Sequence, residues 1–240
     1  MRGLWKGLLL VGLLAVLLFL RPWPPAVGFA QERYEEVREK MVKVQIEARD
    51  IVDKRVLAAM RKVPRHLFVP PEERSRAYED HPLPIGFGQT ISQPYIVALM
   101  TELLNLKKGA QVLEVGTGSG YQAAILSEIV EEVYTVEIIP QLASRAEKTL
   151  RELSYRNVHV AQLDGYNGWK EHAPFDAIIV TAAAEFVPPP LIKQLKVGGL
   201  MCIPVGPPFS VQNLFLVKKK SEKEIETQVI TQVVFVPLVH

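Results

Sequence analysis

Beyond residue 110, short unbroken apolar runs alternate with stretches in which apolar residues recur every three or four positions. Unbroken runs suit strands buried on both faces, and the wider spacing suits amphipathic helices. Strands are predicted at 111–115, 133–137, 158–162, 175–181 and 199–205, with helices between them at about 120–131, 140–153 and 187–196. Pro140 and Pro188 stand where the fixed φ of proline favours a helix start. Such alternation predicts a doubly wound, mostly parallel Rossmann-like α/β sheet with helices on both faces. The last third reads differently. Residues 213–219 and 225–236 form two strands split by a charged turn, an antiparallel pair closing one sheet edge.

Upstream, residues 32–50 are charged, with Val37, Met41 and Val44 at helical spacing. A second helix fits 53–63, with Val56, Leu57 and Met60 on one face. Pro64, Pro70 and Pro71 then break the pattern around His66. His66 and His81 share no metal-ligand spacing and read as packed or solvated, so no metal is expected. The segment 83–94 is rich in turn residues yet not hydrophilic, which predicts a loop packed against something. It leads into a helix from about Pro94 to Leu106, stopped by Lys107-Lys108-Gly109.

The first 30 residues follow another logic. Arg2 and Lys6 precede an apolar stretch from Leu8 to Leu20, and Gly28-Phe29-Ala30 supplies small residues for cleavage after Ala30. These are the parts of a secretory signal. An uncleaved membrane anchor is the second reading, although the stretch is short for a span of ~20 residues. The expected organisation is therefore a leader at 1–30 and a single domain at 31–240. That domain divides into a helical and loop extension (31–92) and a Rossmann-like core (93–240). Export to the periplasm or anchoring in an inner membrane is expected, with the cytoplasm second, and membrane contact is confined to the leader.

Charge changes the picture once the leader is set aside. The chain has 28 basic and 26 acidic side chains; three of the basic ones lie in 1–30, leaving 25 against 26. No basic excess argues for nucleic acid. Lys218-Lys219-Lys220 reads most simply as a solvated strand end. The single cysteine, Cys202, sits in an apolar run and reads as a small buried residue.

The candidate chemistry lies at Val112-Leu113-Glu114-Val115-Gly116-Thr117-Gly118-Ser119-Gly120. A strand ends in an acid, and a turn kept bare of side chains leads into a helix. In open α/β sheets such a turn faces a nucleotide-like ligand. Glu137 ends the next strand, 21 residues beyond Gly116, where an acid accepts hydrogen bonds from ribose hydroxyls. A dinucleotide and an adenosyl cofactor both carry such a ribose. The glycines are spaced GxGxG rather than GxGxxG, and Glu114 would repel a pyrophosphate. S-adenosyl-L-methionine, with an ammonium, a sulfonium and no phosphate, fits better. Asp164, after the third strand, is placed to accept from the adenine amino group, or else closes an Asx turn before Gly165.

Several segments together resemble the protein-L-isoaspartate (D-aspartate) O-methyltransferase family. They are Val63 to Val69, Leu83-Pro84-Ile85-Gly86, Gln89 to Pro94, Leu113 to Tyr121, Ala173 to Ala183 and Phe235 to Leu238. The likeness runs from about residue 40 to the end of the chain. It implies methylation of the free α-carboxylate of isoaspartyl residues in damaged proteins by S-adenosyl-L-methionine, which initiates repair through a succinimide. It also implies a catalytic role for Ser92 and cofactor binding by Glu114, Gly116, Gly118, Glu137 and Asp164, with Thr117 and Gly165 beside them. Thr90 and Ile91 fall on the substrate side, and the small Ala182 and Ala183 leave room for a peptide. A monomer is expected.

A carboxylate is ionised near neutral pH, with a reference pKa near ~4, so it can attack a methyl group without a general base. Ser92 is therefore expected to orient the substrate; the local alternative is a serine N-cap for the helix at Pro94. Two departures from the family stand out: Leu163 replaces a common glycine before Asp164, and the leader precedes the usual start. The rival readings are a methyltransferase of the same fold with another acceptor, a non-catalytic module binding aged peptides, and last a NAD-dependent oxidoreductase.

Overall fold

The computed structural model describes residues 26–239, with side chains from residue 33 onward. The expected leader lies outside the described residues except for positions 26–30, which open the first helix. Among the described residues no helix is long and apolar enough to cross a membrane.

Helix α1 (Ala26–Met41) continues through a π turn at Val42–Ile46 and a 3-10 turn at Glu47–Arg49. Helix α2 (Lys54–Lys62) starts where the Asp53 side chain accepts from the Arg55 amide, a side-chain cap on the first turn. The segment expected as a loop at 83–94 is instead a hairpin of β1 (Leu83–Gly86) and β2 (Gln89–Ile91). Gly86, Phe87 and Gly88 all take positive φ between the strands. Each strand is too short to show a period of two in the sequence, which is why it read as a loop.

Helix α3 (Pro94–Leu103) leads into the main sheet, which comprises seven strands. These are β3 (Gln111–Val115), β4 (Glu132–Glu137), β5 (Val158–Gln162), β6 (Phe175–Val180), β7 (Leu195–Val205), β8 (Gln212–Ser221) and β9 (Glu224–Val233). Their order is β5-β4-β3-β6-β7-β8-β9. The first five are mutually parallel; β8 pairs antiparallel with β7, and β9 antiparallel with β8. The expected antiparallel closure is present, except that β9 ends at Val233 rather than at 236. Beyond it the chain turns away, the Phe235 amide binding the Gln212 side chain and the Ala183 amide binding the Val236 carbonyl.

Alternation along the strands divides the core in two. Val112, Ala177 and Ile179 pack with the residues of α2, α3 and α4 (Tyr121–Ser127) and with Leu142 and Leu150 of α5 (Pro140–Glu152). Leu113, Val115, Ile178 and Val180 pack on the other face with Leu191 of α6 (Pro189–Gln194). Burial on both faces accounts for the unbroken apolar runs of β3 and β6. The covering is unequal: one face carries α2 to α5, the other the six-residue α6 and short 3-10 turns. Glu114 shares the more heavily covered face with Val112, which takes its carboxylate fully out of water.

Candidate active site

From β3 the chain winds outward through β4 and β5 and then returns to β6 on the opposite side of β3. The order reverses there, so a crevice opens beyond the carboxyl ends of β3 and β6. The glycine turn forms its floor. Gly116, Gly118 and Gly120 have φ of +97°, +52° and +86°. A side chain at Gly116 is excluded by space as well as conformation. Its Cβ would stand 2.6 Å from Thr181 Oγ1, the hydroxyl that donates to the Gly116 carbonyl at 2.6 Å. At Gly120 a Cβ would lie 3.2 Å from Leu150. The third glycine thus lets α4 pack on α5 despite its early position, and the spacing by itself separates cofactor classes less than expected. The acids carry that distinction.

Glu114 pairs in register with Thr135 of β4. Thr135 donates its one hydroxyl proton to Glu114 Oε2 at 2.5 Å and so must accept from Thr117 Oγ1 at 2.7 Å. The other oxygen, Oε1, is buried with no hydrogen-bond partner among the described residues. Burial pushes the Glu114 carboxyl up to about 8, the nearby Glu137 charge adding to the rise and the Thr135 bond opposing it. Glu137 is held differently. Its Oε2 accepts from the Gly118 amide at 2.8 Å and its Oε1 from the Ile139 amide at 3.0 Å, fixing the carboxylate at the end of β4.

Two acids and, among the described residues, no basic side chain line the crevice. A phosphate is poorly served there. A cationic ligand that brings donors to Glu114 Oε1 and hydroxyls to Glu137 fits the donor set, and S-adenosyl-L-methionine is such a ligand.

Ser92 stands where this crevice meets a second groove; Thr90, Ser92, Thr181 and Val236 line both. The N-cap of α3 is Gln93, one residue later than the sequence suggested, and no side chain caps that helix. Among the described residues the Ser92 hydroxyl has no hydrogen-bond partner, so the capping alternative does not hold. Ile91 and Ala182 line the crevice. Ala183 lines neither cavity. Its amide donates to the Val236 carbonyl and its carbonyl accepts from the Leu238 amide, both at 2.8 Å, so it clamps the returning tail.

Asp164 closes the Asx turn: Oδ1 accepts from the Tyr166 amide at 2.9 Å and Oδ2 from Asn167 Nδ2 at 3.1 Å. Gly165 lies on the crevice wall, where a Cβ would fall 2.5 Å from Val115. Leu163 extends the ladder, its amide donating to the Glu137 carbonyl at 3.1 Å, and its side chain is 38% exposed outside the crevice.

The structure adds residues that sequence reasoning did not find. Thr135 and Gln122 belong to the crevice polar network. Thr101 donates to the Val97 carbonyl and must therefore accept from Gln122 Nε2, leaving Gln122 Oε1 buried without a partner. Val236 to Val239 form a crevice wall. Arg65, fully buried, donates to the Ser92 carbonyl at 2.7 Å. Two of these lay in segments that resemble the family pattern, the tail at Phe235 to Leu238 and Arg65 within Val63 to Val69, but the likeness gave neither a role. Among the described residues no group of three His, Cys, Asp or Glu side chains could hold a metal ion.

Comparison with known proteins agrees with this geometry. The family model for protein-L-isoaspartate(D-aspartate) O-methyltransferase matches residues 35–240. Protein-L-isoaspartate O-methyltransferase 2 of Syntrophobacter fumaroxidans is 55% identical over 94% of this chain and 95% of its own. The enzyme of the same name from Shewanella sediminis is 57% identical over 86% and 84%. A solved protein-L-isoaspartate O-methyltransferase superposes with TM-score 0.77 at 31% identity, over 85% of this chain and 66% of that one. A Plasmodium falciparum chain assigned to the same enzyme, solved with S-adenosyl-L-homocysteine, superposes with TM-score 0.72 at 26% identity over 86% and 98%. With the family model spanning nearly all of the described chain, the protein belongs to the protein-L-isoaspartate (D-aspartate) O-methyltransferase family.

Proposed function

We propose that this chain transfers the methyl group of S-adenosyl-L-methionine to the free α-carboxylate of L-isoaspartyl and D-aspartyl residues in damaged proteins. The observation that carries the reading is the position of Ser92. Among the described residues, a hydroxyl without a partner stands where an acid-lined crevice joins a groove lined by no ionisable side chain.

When bound, the cofactor supplies an activated methyl group on a positively charged sulfur. Glu137, pinned by two backbone amides, keeps free lone pairs for the ribose hydroxyls, and Glu114 Oε1 accepts from a cationic donor. Gly116, Thr117 and Gly118 let the ligand approach the backbone, and Gly165 and Ala182 keep the walls low. Asp164, with each oxygen already accepting once, retains capacity for the adenine amino group. On the substrate side Thr90, Ile91 and the Ser92 hydroxyl orient the isoaspartyl carboxylate. Because that carboxylate is already ionised, the chain contributes alignment and exclusion of water rather than a base. The neighbouring backbone amide nitrogen then attacks the ester carbonyl, breaking the C–O bond and releasing methanol, and so closes a succinimide without further help from the protein.

The extension 31–92 and the core 93–240 are read as one domain, since the buried cluster from Met41 to Val233 runs through both. We read 1–30 as an export leader or anchor and the domain as a monomer; N-terminal sequencing of the fractionated mature protein tests the first and sedimentation the second. For the activity, labelled methyl should pass from S-adenosyl-L-methionine to an isoaspartyl peptide and not to its aspartyl twin. Tight cofactor binding without transfer would point to a binding module, and equal labelling of both peptides to a methyltransferase with another acceptor.

A further inference from the structure

Arg65 is the largest fully buried side chain described. Among the described residues no carboxylate pairs with it. Its Nε donates to the Ala77 carbonyl and its Nη2 to the Ser92 carbonyl, both at 2.7 Å, and its guanidinium lies 4.8 Å from the centre of the Tyr121 ring. Nη1 has no partner among the described residues. Burial lowers its pKa to about 10, so it remains charged at neutral pH. An unpaired buried cation is costly, and packing alone would be served more cheaply by an apolar side chain.

The three contacts explain what the charge is for. Ser92 directly follows β2, Ala77 closes the 3-10 turn Pro71–Arg76 upstream of β1, and Tyr121 is the first residue of α4 after the glycine turn. One rigid planar fork therefore fixes the base of the hairpin against the floor of the crevice. We propose that Arg65 is a positioning residue for methyl transfer, holding the Ser92 backbone in register with the glycine turn. This rests on the reading of Ser92 given above. A lysine cannot replace it, because a single ammonium does not reach both carbonyls at the angle the fork sets. Alignment in a near-attack geometry is sensitive to displacements well under 1 Å, so loosening the Ser92 peptide lowers turnover without touching the cofactor.

A double-mutant cycle tests this. Arg65→Lys should lower kcat about tenfold, the equivalent of one hydrogen bond, with the Kd for S-adenosyl-L-methionine within about twofold. In a Ser92→Ala background the same substitution should change kcat by less than about twofold, because the group it positions is gone. A tenfold loss in both backgrounds, or a parallel loss of cofactor affinity, would overturn the proposal and leave Arg65 a structural residue. If the Lys variant does not fold, Arg65→Gln, which keeps one donor for Ser92, runs through the same cycle; failure of both to fold also overturns it. A wild-type chain that binds cofactor but does not methylate an isoaspartyl peptide would remove the functional reading itself, and the proposal with it.

Discussion

The crevice above the glycine turn carries two carboxylates, Glu114 and Glu137, whereas among the described residues no ionisable side chain lines the groove on the far side of Ser92. The two cavities share Thr90, Ser92, Thr181 and Val236 yet suit opposite charges. Negative charge on the crevice side favours a cationic methyl donor. Its absence on the groove side spares an anionic acceptor the repulsion that like charges exert in a low-dielectric site. Among the described residues no basic side chain lines either cavity, so attraction between donor and acceptor is left to bring the reacting atoms together.

The contrast breaks most severely at Glu137. If Glu137 takes two charge-assisted ribose bonds as proposed, each worth about 1.5–3 kcal/mol, Glu137→Ala should weaken cofactor binding about 100-fold or more by calorimetry. Peptide KM should stay within about twofold at saturating cofactor; an unchanged Kd would end the ribose role. Next comes Ser92→Ala, which acts on the other cavity. It should lower kcat about tenfold, the equivalent of one lost hydrogen bond, and leave cofactor Kd within about twofold.

Glu114 sharpens the comparison through pH. Its folded pKa of about 8 lies above the ordinary 4.5, so the free fold holds a proton there at neutral pH. Its contribution to stability is complete below 4.5 and is lost as pH rises through 8. A cation entering the crevice ionises it, so binding at pH 7 should release a proton, and affinity should climb several-fold between pH 6.5 and 7.5. Glu114→Gln should flatten both trends, and a wild-type profile equally flat would show that the ligand cation does not meet this carboxylate. The smallest effect is expected at Leu163. Its side chain lies outside the crevice, so Leu163→Gly should leave cofactor Kd within about twofold; a larger gain in affinity would mean that the leucine obstructs the adenine side.

Strand β3 was legible to the residue because burial on both sides of a parallel sheet leaves an apolar run between turn residues; edge strand β5 is only partly buried, and its bounds came from the β-branched Val158 and Val160 between turn residues. The glycine turn was legible for a related reason, since conformation and space both forbid side chains there. The hairpin was not: its strands are shorter than any period can register. The roles of Thr135 and Arg65 were not legible because they come from pairing, although Arg65 stands in the segment Val63 to Val69 that resembles the family. Thr135 matters through its register opposite Glu114, 21 positions away, and Arg65 through a carbonyl 27 residues along. The serine cap failed by one residue, because Pro94 occupies the first helical position and Gln93 the cap.

The tail that follows β9 has a practical consequence. A cut beside Val234, which is 71% exposed, would leave all seven strands of the main sheet intact while freeing Val236 to Val239 from the crevice wall. Such a nicked preparation would pass for intact by circular dichroism and run nearly full length on a gel. Its purity would then say little about its specific activity, and the mass of the last peptide would be the better measure of quality.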